Sequence, residues 1–107
     1  MRRTIALLLL TGLSSVGIHA YADTEKLQIL LQKNNCVACH MIDKRKYGPK
    51  LVEVAAKYAN QADAASKLAA KIKAGGSGVW GEDIMPPQPH VSHADARKLA
   101  EYILALE

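Results

Sequence analysis

The chain has no phenylalanine, one tryptophan and two cysteines among its 107 residues. A domain this small has a thin core and usually needs a staple. Its helix-forming stretches are rich in alanine, and side chains that small leave cavities at the centre of a helical domain. A disulfide does not fill such a space. A large apolar group does. No alternating apolar and polar run of useful length occurs, so no sheet is expected. No internal repeat is present.

The chain also has little basic excess once its first residues are set aside. Arg2 and Arg3 precede an apolar run, Ile5 to Leu10, which continues loosely to Ile18, and Ala20-Tyr21-Ala22 offers small residues two apart. This is the layout of a secretory signal peptide. The strongly apolar part is short for a membrane span, and Gly12, Ser14, Ser15 and Gly17 dilute its second half. Residues 1–22 are therefore expected to be a cleaved signal and residues 23–107 the domain. The domain keeps twelve basic and ten acidic residues, a formal charge of +2, which argues against nucleic acid as a partner. Lys44, Arg45, Lys46 and Lys50 still cluster. Such a run is a solvated face or a surface that steers an acidic partner.

Four helical segments are expected, giving an all-α fold. Leu27, Leu30 and Leu31 form a stripe after the caps Asp23 and Thr24, ending near Asn34-Asn35. Pro49 can open the second helix, with Leu51, Val54, Ala55 and Tyr58 on one face. The third runs from about Asp63 to Ala74, with Gly75 past its end. The fourth follows Ser92, with Asp95 three residues on as a short capping box, and Ala96, Leu99, Ala100, Ile103 and Leu106 as its inner stripe. Between the last two lies a Gly- and Pro-rich segment, Gly75 to Val91, that also holds Trp80 and Met85. Long loops in small domains are functional or disordered, and the Trp and Met favour a loop wrapped over a ligand.

Cys36-Val37-Ala38-Cys39-His40 is the attachment pattern for haem c. Its two thiols add to the vinyl groups of one macrocycle, and the adjacent imidazole reaches the iron from one face. The export signal fits, because haem attachment takes place outside the cytoplasm. Two rivals share the cysteines. A thioredoxin-like redox pair requires a βαβ pattern that is missing. A zinc site of Cys36, Cys39, His90 and His93 has widely separated halves and an unusual His spacing. On the opposite face of the iron the candidates are Met85, His90 and His93. Met41 adjoins His40 and cannot reach that face. His93 falls at the start of the last helix. His90 competes from the loop. Met85 is favoured because Pro86 and Pro87 stiffen the backbone beside it, although a lone Met is often core filler.

Asn35-Cys-Val-Ala-Cys-His40, Tyr47-Gly48-Pro49, Val54-Ala-Ala-Lys-Tyr58, Gly78-Val-Trp-Gly81 and Ile84-Met-Pro-Pro87 together resemble the small bacterial class I cytochromes c of the c-551/c-552 type. The motifs stand in the family's order and cover nearly all of residues 23–107. The resemblance implies a compact helical fold around one covalent haem c, with His40 and Met85 as iron ligands. It implies a monomeric periplasmic carrier of single electrons, serving a respiratory donor and an acceptor such as nitrite reductase or a terminal oxidase, and not an enzyme. It also implies three supporting contacts: the Pro49 carbonyl on the His40 imidazole, and Trp80 and Lys71 near haem propionates. Lys71 stands where relatives often have Arg. Gln88 replaces a common Asn, and Pro89-His90 reads as a one-residue insertion. The competing function is a haem sensor or peroxidase-like protein with a displaceable Met.

Overall fold

A computed structural model of the protein describes the backbone of residues 16–107 and the side chains from residue 23 onward. Arg2, Arg3 and the run Ile5 to Leu10 lie outside the described residues. Four α-helices follow: α1, Val16–Lys33; α2, Leu51–Tyr58; α3, Ala64–Ala74; and α4, His93–Leu104. A short 3₁₀ turn, Cys36–Ala38, follows α1. The described residues form no sheet, only one isolated antiparallel bridge between Gly76 and Met85.

The stripes decide the packing. Leu27 and Leu31 of α1 meet Leu99, Ala100 and Ile103 of α4, all buried, and Leu30 and Tyr102 pack against them half-buried. Helix α4 also packs against α2 and α3, so it is the wall on which the other helices lean. Leu31 is 2 % exposed. Truncating it as Leu31→Ala should cost about 2–5 kcal/mol, the usual range for a buried leucine with its cavity. Chemical denaturation of the holoprotein measures this, and a loss near zero would mean that α1 and α4 do not share a core there.

Helix ends differ from the sequence pattern in instructive ways. Helix α1 does not begin at Asp23 or Thr24, because its backbone is already helical from Val16. It ends as expected, with Asn35 in the left-handed region at φ 58°. Helix α2 begins at Leu51 rather than at Pro49, because the Pro49 carbonyl turns aside to the ring of His40. Its first free N–H groups are satisfied from outside the helix: Leu51 N–H donates to the Met41 carbonyl at 3.0 Å and Val52 N–H to Ile42 at 3.1 Å. This ties α2 to the segment just after the Cys motif.

Helix α4 is capped by the Ser92 hydroxyl, which accepts from Asp95 N–H at 3.0 Å. The Asp95 carboxylate does not complete a capping box. It accepts from Lys33 Nζ at 2.8 Å and from the Asn34 side-chain amide at 3.3 Å, joining the end of α1 to the start of α4. These two hydrogen bonds, Lys33 first, hold its pKa below the usual carboxylate value. The clasp is therefore in place at neutral pH and down to the ordinary carboxylate range. It is lost as pH falls further, through the lowered value. Asp95→Asn should lower stability modestly at neutral pH, with the difference from wild type shrinking as pH falls, so that the acid limb is flattened. An unchanged acid limb would show that Asp95 does not titrate with unfolding.

Candidate functional site

One deep cleft opens in the described part of the molecule, with about 1330 Å³ of space not filled by protein atoms, counted out to its mouth. Its floor is apolar, built from Leu31, Leu51, Val54, Leu68, Leu99 and Ile103. This is the space that the alanine-rich helices do not fill. Cys36, Cys39, His40 and Pro49 stand on one side in the chain segment between α1 and α2, and Trp80 and Met85 come from the loop after α3, with Lys71 of α3 beside them. The seven residues singled out from the sequence thus border one space.

The imidazole of His40 is held from two directions. Its Nδ1 lies 2.9 Å from the Pro49 carbonyl. With the proton on Nδ1 donated to that carbonyl, Nε2 keeps its lone pair for a metal. Gly48 closes the other side. A Cβ there would stand 2.5 Å from His40 Cε1 and 2.8 Å from Nδ1, far inside van der Waals contact. Any side chain at position 48 would displace the ring. In the sequence, Gly48 stands within the Tyr47-Gly48-Pro49 motif with no role of its own. The clue was present, a glycine beside the proline that orients the ring, but the clash is visible only in three dimensions.

The two thiols are half-buried and unpaired. The 3₁₀ turn begins with Cys36 and is capped by Cys39, whose N–H donates to the Cys36 carbonyl at 3.1 Å. Burial pushes the Cys36 thiol above the usual cysteine value.

Met85 is placed by backbone bonds in both directions. Its N–H donates to the Gly76 carbonyl and its carbonyl accepts from Gly76 N–H, each at 2.9 Å. Gly75, at φ 66°, makes this approach possible: a Cβ on it would lie 2.2 Å from the Met85 carbonyl oxygen. Gln88 continues the join, its N–H donating to the Lys73 carbonyl at 2.9 Å and its side chain to the Pro86 carbonyl at 2.9 Å. The rival ligands are elsewhere. His90 Nε2 sits 3.2 Å from the Asn34 carbonyl and does not line the cleft. His93 borders a shallow surface depression between α3 and α4. Met41 is exposed and also outside the cleft. Among the described residues, no three His, Cys, Asp or Glu side chains gather to hold a bare metal ion, so the zinc reading has no site.

Of the basic cluster, Arg45 borders the cleft, Lys46 Nζ donates to the Val37 carbonyl at 3.0 Å, and Lys50 pairs with Glu53 at 3.6 Å. Tyr47, Val79 and Ile84 are exposed apolar side chains at the cleft mouth.

A broad apolar cleft with two thiols and a pre-oriented imidazole on one side takes up a flat macrocycle held covalently and through its metal. That is the design of a c-type haem protein. The chain belongs to the cytochrome c family, whose profile matches residues 25–107. It is 52% identical over 92 residues to cytochrome c-552 of Nitrosomonas europaea, spanning 86% of this chain and 85% of that protein. To cytochrome c-551 of Azotobacter vinelandii it is 56% identical over 75 residues, 70% of this chain and 90% of the relative. The crystal structure of Nitrosomonas europaea cytochrome c552 superposes with a TM-score of 0.73 at 54% identity, covering 75% of this chain and 99% of that one. The protein is a small class I cytochrome c of the c-551/c-552 type, a periplasmic electron carrier and not an enzyme. Its haem c is bound through two cysteine thioethers, and the chain has two cysteines.

Proposed function

We propose that residues 1–22 are a signal peptide removed after Ala22. We further propose that the mature protein shuttles electrons to nitrite reductase or a terminal oxidase, with His40 and Met85 as the residues that would ligate the haem iron. The observation that carries the ligand reading is the shared cleft, lined by both side chains from different chain segments. Haem c, when bound, supplies an iron centre that takes up and releases one electron. His40 presents Nε2 to that centre, fixed by Pro49 and Gly48. Met85 presents a neutral sulfur, which favours the reduced state and raises the potential. The apolar floor excludes water and disfavours the more highly charged oxidised site. Trp80 and Lys71 offer an indole N–H and an ammonium to the acidic edge of the macrocycle. Lys71 acts there as a point charge rather than a fork.

The exposed rim of Tyr47, Val79 and Ile84, with Arg45 beside it, suits the small and transient docking of electron carriers. Stopped-flow oxidation of the reduced holoprotein by purified nitrite reductase or by a terminal oxidase tests the partner assignment. Fast second-order oxidation that slows with added salt is expected for an acidic acceptor surface. Failure of both acceptors to oxidise it would sink the assignment. A sensor or peroxidase-like role requires a sixth position that opens readily, and failure of the reduced protein to bind carbon monoxide at neutral pH would count against it.

A further inference from the structure

Trp80 is the only tryptophan, and its loop gives it little support. The turn around it is closed by Gly78 N–H donating to the Gly81 carbonyl at 2.8 Å. A Cβ placed on Gly78 or Gly81 would meet nothing within 4 Å, so the backbone here stands clear of the rest of the molecule. Both glycines adopt positive φ, 94° and 114°. Yet the indole is half-buried, packs on the core and forms part of the cleft wall. Something other than its own backbone must hold it there.

Lys57 is in that position. It belongs to the last turn of α2, next to Tyr58, which also lines the cleft. Its ammonium lies 5.3 Å from the centroid of the Trp80 ring, within the range of a cation–π contact. Among the described residues Lys57 joins no ion pair, so the nearby loop acids Glu82 and Asp83 do not claim it.

We propose that Lys57 is a positioning residue for Trp80. Its cation on the ring tethers the glycine-flanked loop to α2 and fixes the plane of the indole at the cleft wall. It also places a positive charge behind that wall. A fixed positive charge beside the cleft opposes oxidation of the iron, so it raises the reduction potential, and salt weakens the effect. The orientation claim rests on geometry alone, whereas the potential claim rests on the cleft holding haem as proposed above.

Because there is one tryptophan, the near-ultraviolet circular dichroism of its ring reports on this contact without ambiguity. In the holoprotein, Lys57→Met should weaken and reshape the Trp80 signal and lower the potential at low ionic strength. Lys57→Arg, which keeps a cation able to stack on the ring, should restore both. A double-mutant cycle of Lys57→Met with Trp80→Leu should show about threefold coupling in the unfolding equilibrium constant, as expected for a partly exposed cation–π pair. The Lys57 variants alter an exposed side chain, so the spectral test stands even if Trp80→Leu does not fold. An unchanged Trp signal in Lys57→Met overturns the proposal, and so does strict additivity in the cycle. The propionate contact is tested separately. Trp80→Phe keeps an aromatic face, though a smaller one, and removes the N–H, so an unaltered pH dependence of the potential would remove that contact while leaving the Lys57 tether standing.

Discussion

Met85→Ala is expected to abolish the weak long-wavelength absorption band that accompanies iron–thioether bonding in the ferric holoprotein. The same change should lower the reduction potential and let carbon monoxide bind the reduced protein. The argument is one of supply. His40 and Met85 both line the cleft, from different chain segments. No imidazole replaces Met85 at short range, since His90 is committed to the Asn34 carbonyl. Loss of the sulfur removes the neutral soft donor that favours ferrous iron. His90→Ala should leave the band, the potential and carbon monoxide exclusion nearly unchanged. If the His90 variant loses low-spin ligation and the Met85 variant does not, the iron is held by two imidazoles and the proposed pair is wrong.

Cys36→Ala and Cys39→Ala should each remove most of the stable holoprotein. Each deletes a thioether, and the consequence reaches past the missing bond. The buried leucines of α1, α2, α3 and α4 line the cleft, so a large apolar group seated there would pack on them. They depend on what fills it. With one linkage left, the haem is retained less securely, and with none the core has no centre. Expression with the haem-attachment machinery, followed by comparison of coloured periplasmic protein, measures the effect. Equal yields from wild type and both variants would show that the single thioethers are dispensable.

Much of this was legible along the chain because it obeys local rules. The stripes of α1 and α4, the Ser92 cap, Gly75 at φ 66° after α3 and the Cys motif are each set by residues within a few positions of one another. Other features were not legible, since they join residues distant in sequence. The start of α2 moved from Pro49 to Leu51 because a carbonyl was taken by His40, nine residues earlier. Asp95 matched a local capping pattern but bonds to Lys33 and Asn34 across the fold. The necessity of Gly48 and the Lys57–Trp80 contact are distances between segments, and no periodicity encodes them. The start of α1 failed for a different reason. Capping residues permit a helix to begin but do not oblige it to, and among the described residues the helix runs unbroken from Val16 through Asp23.

The paired bonds between Gly76 and Met85 bear on how the iron could lose its sulfur. With both the N–H and the carbonyl of Met85 engaged, its thioether, if it holds the iron as proposed, would move by rotation about its own side-chain bonds while the main chain stays where it is. Detachment and loop opening are then separate events on separate clocks. The first would be recorded by the visible spectrum of the holoprotein. The second requires both bonds to break and is recorded by deuterium uptake at the amides of Met85 and Gly76, which can remain slow while the sulfur comes and goes.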